Sequence, residues 1–342
     1  MSDTIRLGVV GVGQLGSQHA RIYSEIAKRS NGLCSFIGVF DTDRIRLRAL
    51  TEKHGGGAFE SAQELASFCD AVSVATPTET HYEVARVFLE RGKHVLVEKP
   101  ITDSLREAGE LVALARENKC VLQVGHVERF NPVMRYLNDV LQEARFIEVH
   151  RLSPYPGRST DIGVVLDLMI HDIDVVLALV KSPLAELDAV GIPVLSEKEE
   201  DIANARLKFA NGCVANVTAS RVSAERMRKI RIFGRTEHGA AYISLDYMNQ
   251  IGELYRVASE DAQESGLLKK LLAGKHASIV SEFAGRKIVR EPLPIERDEP
   301  LKLELQHFVD AIRYHRDPLV TGEAAQQALE VAMEITEQIR RS

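Results

Sequence analysis

Ile5-Arg6-Leu7-Gly8-Val9-Val10-Gly11-Val12-Gly13-Gln14-Leu15-Gly16 is the stretch on which the fold turns. Residues 5–10 form a short β-rich run that stops at Gly11, and a helical pattern follows from about Gln14 to Lys28. The three glycines therefore sit where a strand hands over to a helix, in the spacing G-x-G-x-x-G. Gly11 permits the tight turn, Gly13 lets backbone approach a ligand, and Gly16 lets helix and strand pack closely. The helix start offers backbone N–H groups and the positive end of a dipole to a phosphate. The next apolar run, Ser35–Phe40, ends in an acid, Asp41, placed to accept hydrogen bonds from ribose hydroxyls. Together these features predict a dinucleotide site made by Gly11, Val12, Gly13, Gln14, Leu15, Gly16 and Asp41. A carboxylate at 41 repels a 2′-phosphate, so NAD is expected before NADP. Arg44 and Arg46 pull the other way.

Outward from this turn, the alternation continues. Helical sequence resumes near Arg44–Lys53. Strands are expected at Ala71–Ala75, His94–Val97 and Cys120–Val124, with helices at about His81–Glu90 and Leu105–Asn118 between them. Strands alternating with helices of this length predict right-handed βαβ units and a parallel, Rossmann-type sheet. After Gly125 the texture changes. One helical pattern covers about Pro132–Leu141, and a turn-rich stretch, Ser153–Arg158, leads into a helix around Asp167–Leu179. Strand-like runs follow at about 186–191, 203–209, 213–220, 229–234 and 240–245, with a hairpin signal at Asn211-Gly212. Residues 257–285 read as surface helix or loop. The end is helical again, at about Pro300–Tyr314 and Glu323–Arg340. The expected architecture is α/β: an NAD-binding domain over 1–124, then an α+β domain over 125–342 with a large, mostly antiparallel open sheet. The helices from about 300 to 342 are expected to pack back toward the first domain.

Composition narrows the classes of function. The 342 residues carry a formal charge of −6, so there is no general pull on nucleic acid or an anionic membrane. The most apolar stretch, Val164–Val180, contains Asp167, His171, Asp172 and Asp174 and does not suit a bilayer. The first apolar run is broken by Arg6 and then by glycines, so no signal peptide is read. Cys34, Cys69, Cys120 and Cys213 are scattered, with no metal spacing, and read as free thiols of a cytoplasmic protein.

Three further segments carry chemistry: Thr76-Pro77-Thr78 with His81, Glu98-Lys99-Pro100, and Asp167-x3-His171-x2-Asp174. Lys99 closes a parallel strand, beside the crevice where α/β sheets bind ligands. Asp167, His171 and Asp174 share one face of an otherwise apolar helix, where burial without purpose is costly. Asp/His clusters also occur as metal sites; here no metal is expected. With the glycine turn, these segments resemble the glucose–fructose oxidoreductase / inositol dehydrogenase (Gfo/Idh/MocA) family over nearly the whole chain. The closing stretch Glu299–Ala332 resembles its C-terminal helices.

The resemblance implies an oxidoreductase acting on a hydroxyl carbon. It assigns Lys99, His171 and Asp167 to catalysis, with His171 as general base and Lys99 stabilising alkoxide charge. It places Thr76, Pro77, His81, Glu98 and Lys99 around the cofactor, and leaves Asp174 a structural role. The chain departs from the family before the Asp/His helix. Many members have a glycine-rich run there, and this one has Ser159-Thr160-Asp161-Ile162-Gly163. The segments Gly125–Pro132 and Tyr155–Arg158 resemble the subgroup that oxidises C3 of UDP-N-acetylglucosamine on the way to a 3-amino sugar of lipid A, in lipopolysaccharide. That makes His126, Arg129, Tyr155 and Arg158 candidate substrate contacts, with Arg151 and Arg221 as further candidate cations for a diphosphate; an arginine taken alone is more often a surface residue, and His126 equally suits a core. A free polyol or sugar such as inositol or glucose is the alternative substrate. A non-catalytic NAD-sensing protein is the alternative class. A homo-oligomer, dimer or tetramer, is expected.

Overall fold

The computed structural model describes residues 4–155, 162–237, 239–257, 278–283 and 286–341. The chain forms two compact units, Met1–Phe130 with Glu299–Glu330, and Asn131–Asp298 with Val331–Ser342.

The first unit is built on strands β1 (Ile5–Val10), β2 (Cys34–Phe40), β3 (Gly57–Ala58), β4 (Ala71–Val74), β5 (His94–Glu98) and β6 (Leu122–Gly125). They form one sheet in the order β3-β2-β1-β4-β5-β6, and every pairing is parallel. The order reverses between β1 and β4, and that reversal opens the crevice where such sheets take ligands. Helices α1 (Gln14–Arg29), α2 (Arg44–His54), α3 (Ala62–Phe68), α4 (His81–Leu89) and α5 (Leu105–Glu117) make the crossovers. Helix α3 was not foreseen, although its signal is present. Ser61 caps it by accepting from the Glu64 N–H at 3.1 Å, and Glu64 accepts from the Glu60 N–H at 2.6 Å.

A late segment completes this unit. Helix α8 (Pro300–Arg313) buries Leu305, Phe308, Val309 and Ile312 with Leu7, Ala20 and Tyr23. Beyond it the Val124 N–H donates to Val320 O, so the edge of β6 is covered.

Among its described residues the second unit holds nine strands: β7 (Glu143–Leu152), β8 (Leu184–Ile192), β9 (Ile202–Phe209), β10 (Val214–Ser220), β11 (Met227–Thr236), β12 (Gly239–Asp246), β13 (Ile251–Val257), β14 (Ser278–Phe283) and β15 (Arg286–Pro292). Their order is β14-β15-β13-β12-β11-β7-β10-β9-β8, and only β7 and β10 run parallel. Strand β9 shows why the sheet is two-faced. Ala203, Ala205, Leu207 and Phe209 are buried, while Asn204, Arg206 and Lys208 alternate with them in the open. Gly212, at φ +83°, closes the predicted β9–β10 hairpin.

The unit also contains α6 (Pro132–Val140), a π-helical turn at Val165–Met169 and α7 (Ile170–Val180). The final helix, α9 (Gly322–Arg341), contributes to both units.

Two readings need correction. The 257–285 segment is not helix or loop where it is described: Val257 ends β13, and Ser278–Phe283 is strand β14, paired with β15. Its apolar residues Ile279 and Val280 are both partly exposed on an edge strand, so no inside–outside alternation marks it. The helix over 167–179 is not uniformly α. Its first turn carries the wider π geometry, and Asp167 lies within it.

Candidate active site

Around the glycine turn, each glycine has its own physical reason. Gly11 adopts φ +89°, and a Cβ there would lie 2.5 Å from Ala75 O, the carbonyl just past β4. A Cβ on Gly16 would lie 1.9 Å from Gly11 O. Gly13 is different: a Cβ there meets nothing within 4 Å, so its backbone borders open space. It is also the N-cap of α1, with no side-chain cap bond and no acid in the first turn. By contrast, α2 is capped by Asp43 and α5 by Ser104. A bare, uncapped helix start facing open space fits a pyrophosphate.

Asp41 sits half-buried just past β2. Its carboxylate accepts from the Val12 N–H at 2.5 Å and from the Asp43 N–H at 2.7 Å. It therefore ties the glycine loop to the end of β2, and a carboxylate keeps lone pairs for two ribose hydroxyls beyond these. Arg44 pairs with Glu60, and Arg46 with Asp43 at 3.1 Å, so both nearby cations are already partnered. The residues present fit a dinucleotide.

The strand ends beside it are braced by histidines. His81, expected near the cofactor, is 1% exposed. Its Nδ1 faces Pro100 O at 2.9 Å and its Nε2 faces Thr76 O at 2.9 Å, so it joins the loops that follow β4 and β5. Burial pushes its pKa below the ordinary value, while the two carbonyls oppose that shift. Thr76 also receives a hydrogen bond from the Thr80 hydroxyl at 2.8 Å, and Pro77 precedes a single 3-10 turn. Glu98 is 7% exposed, with Oε1 lying 3.0 Å from His19 Nε2. His19 was not foreseen. Its signal is a polar side chain on the buried face of α1, three residues after Gly16. Lys99 follows directly, half-buried, at the carboxyl end of β5, and its peptide bond to Pro100 is cis. His126 is buried just past β6, and half-buried Arg129 donates to Leu319 O at 3.3 Å.

In the second unit, Asp167 and His171 are both half-buried, while Asp174 is 2% exposed and belongs to the core. Tyr155 is half-buried, and Arg158 lies outside the described residues. Arg151 and Arg221, candidate cations for a diphosphate, are neither open to a ligand nor on the surface. Arg151 is 3% exposed and grips Asp172 through Nε at 2.6 Å and Nη2 at 2.9 Å. Arg221 is fully buried, with Nε 2.7 Å from Asp201 Oδ1. Both charges are spent inside the protein, where an unpaired guanidinium would be untenable.

The fold defines a protein built on a nucleotide-binding sheet, and similarity to known proteins makes it an oxidoreductase. Residues 5–126 match the family described as the oxidoreductase family with an NAD-binding Rossmann fold, and residues 141–238 match the GFO/IDH/MocA C-terminal domain. A UDP-N-acetylglucosamine 3-dehydrogenase of Acidithiobacillus ferrooxidans is 34% identical over 332 residues, covering 97% of this chain and 96% of that protein. A solved structure of an enzyme of that name and organism superposes with a TM-score of 0.86 at 33% identity, covering 99% of this chain and 98% of its own. A scyllo-inositol 2-dehydrogenase (NAD(+)) of Bacillus subtilis is 25% identical, covering 99% of this chain and 95% of that protein. The chain belongs to the GFO/IDH/MocA family of oxidoreductases. That membership sets aside the non-catalytic alternative. Among the described residues, no helix is long and apolar enough to cross a membrane.

Proposed function

We propose that this enzyme oxidises C3 of UDP-N-acetylglucosamine to a ketone with NAD, in the cytoplasm, upstream of an amino-sugar-forming step of lipid A synthesis. The observation that carries the reading is the 34% identity to a UDP-N-acetylglucosamine 3-dehydrogenase across nearly the full length of both chains. The half-buried Asp167–His171 pair and the Lys99 strand end support it.

In this reading the Gly11–Gly16 backbone binds the pyrophosphate and Asp41 binds the adenosine ribose, favouring NAD over NADP. Thr76, Pro77 and Glu98 shape the neighbouring wall, and His81 acts through the loops it joins. When bound, NAD supplies the hydride acceptor. An imidazole nitrogen of His171 takes the proton from the sugar hydroxyl as the carbon–hydrogen bond is given up. Lys99 Nζ donates a hydrogen bond to the same oxygen and stabilises its developing negative charge. Asp167 accepts from a neighbouring hydroxyl. His126, Arg129, Tyr155 and Arg158 contact the rest of the substrate, and the two arginines supply charge for the diphosphate. Three of the four cysteines are buried free thiols, which suits a reducing compartment.

We also propose a homo-oligomer that uses the open face of the nine-stranded sheet. Phe233 is 42% exposed there, stacked on Tyr242 with ring centroids 4.7 Å apart. Sedimentation at several concentrations tests this.

A second reading has its own support. Because Arg151 and Arg221 are consumed by internal ion pairs, fewer cations remain for a diphosphate, and an inositol dehydrogenase also matches over 99% of this chain. The deciding experiment offers purified enzyme and NAD either UDP-N-acetylglucosamine or free inositol, and follows NADH. NADH and a UDP-3-keto sugar with the nucleotide sugar are expected. Turnover of inositol alone would overturn the first reading in favour of the second. Lys99→Ala is expected to lower kcat by about 100-fold or more, the usual scale for losing one donor to a developing oxyanion.

A further inference from the structure

We infer that Glu200, backed by the Asp201–Arg221 ion pair, is a positioning residue that sets the register of the helix carrying Asp167 and His171. This rests on the reading of His171 as general base.

The start of that helix, residues 162–165, is gripped three times from one place. Ile162 O accepts from Arg221 Nη1 at 2.7 Å. The Val164 N–H donates to Glu200 O at 2.9 Å, and the Val165 N–H donates to Glu200 Oε1 at 3.1 Å. Between them lies Gly163. A Cβ there would come within 2.0 Å of Glu200 Oε1, so only glycine lets the carboxylate close on the turn.

The grip is itself fixed. Glu200 is 4% exposed, and Asp201 and Arg221 are wholly buried. Asp201 Oδ2 accepts from the N–H groups of Val194, Leu195 and Ser196 at 2.8, 2.6 and 2.7 Å, while Oδ1 takes Arg221 Nε and the Ser196 hydroxyl. Arg221 Nη2 donates to Ser196 Oγ at 3.0 Å.

A helix start needs no such device for stability alone. Elsewhere in this chain a nearby Ser or Asp suffices, as at Ser61, Ser104 and Asp43. Here the cap is a buried carboxylate 35 residues away, with a desolvation cost that a local hydroxyl avoids. What it adds is direction: a charge-assisted bond to a backbone that cannot drift. The turn it holds is the π-helical one, a geometry concentrated at functional sites and kept only where packing determines it. Farther along, the fork of Arg151 on Asp172 anchors the residue directly after His171. His171 therefore lies between two buried anchors on one short helix.

The test compares Glu200→Ala, Glu200→Gln and Gly163→Ala in the full-length enzyme with NAD and whichever substrate turns over. Glu200→Ala and Gly163→Ala are expected to lower kcat by about 10- to 100-fold, the scale of a small misplacement of a reacting group. NAD affinity should be unchanged. Glu200→Gln should recover most of kcat, because its amide oxygen still accepts from Val165. A folded Glu200→Ala enzyme with wild-type kcat would overturn the proposal, as would a Glu200→Gln enzyme no better than Glu200→Ala. If Glu200→Ala does not fold, Gly163→Ala decides, since it only displaces the carboxylate.

The imidazole ¹H–¹⁵N resonances of His171 give a readout independent of turnover. They should shift in Glu200→Ala and return in Glu200→Gln; no shift in Glu200→Ala rejects the proposal. Full turnover by His171→Gln would instead reject the general-base reading while leaving the resonance test to decide positioning.

Discussion

Gly13 and Gly16 stand three residues apart and are expected to fail differently. At Gly16 an added methyl lies 1.9 Å from Gly11 O, so Gly16→Ala must push the helix away from the turn. It should lose both NADH affinity and thermal stability. At Gly13 the protein offers no clash and the backbone φ is −63°, which any residue adopts. Gly13→Val should keep the wild-type Tm and lose NADH binding, because its side chain fills the space meant for phosphate. NADH fluorescence titration beside a melting curve separates the two; a Gly13→Val protein that binds normally would remove the loop from the cofactor site. Asp41 is a second residue-level test. Repulsion between a carboxylate and a 2′-phosphate about 4 Å away is worth roughly 1–4 kcal/mol at effective dielectrics between water and a protein surface. Asp41→Ser should therefore shift kcat/KM toward NADP by about tenfold or more, read from parallel assays with both cofactors.

Among the elements, the helix beginning at the π turn is the most tightly determined. Its anchors combine buried charge with backbone contacts, and such pairs are costly to break by halves. Arg151→Ala takes the guanidinium fork away from the buried Asp172 carboxylate, and should cost about 3–5 kcal/mol in a urea titration. Replacing both partners with apolar residues, Arg151→Met with Asp172→Leu, should recover most of that loss, because no charge is then stranded. A single Arg151→Ala protein as stable as wild type would show that Asp172 finds another partner. Strand β7, which carries Arg151, was not foreseen. It reads Glu-Ala-Arg-Phe-Ile-Glu-Val-His-Arg-Leu, with charge on both faces, and its inward arginine breaks the apolar alternation that marks a strand. The arginine that this strand buries is the one whose charge interrupts its apolar pattern.

For the whole molecule, acid sensitivity should trace to Asp201. Burial pushes its carboxyl up, but the Ser196 N–H and hydroxyl, Arg221 and the Val194 N–H outweigh that and hold it well below the usual range. A folded pKa below the unfolded value means that the stabilisation is fully present above about pH 4, the ordinary aspartate value. It is lost as pH falls through the lower, folded value. Melting temperature should accordingly drop on acidification below that point, and Asp201→Asn should be less stable at neutral pH with a flatter acid limb. An Asp201→Asn curve parallel to wild type throughout would disprove the assignment.

What the amino-acid order determined by itself is local. The turn at Gly11–Gly16, the acid ending β2, the hairpin at Asn211-Gly212 and the alternation that builds the parallel sheet follow from backbone sterics and neighbouring side chains within a few residues. The family motifs at Lys99 and His171 were legible for the same reason, since each is short and contiguous. Only the tertiary structure decided which charges face solvent and which are buried. Arg151 meets Asp172 across 21 residues, Arg221 meets Asp201 across 20, and Val165 meets Glu200 across 35. An arginine's spacing along the chain says nothing of such a partner, because the partner is set by how strands pair and how helices settle on them.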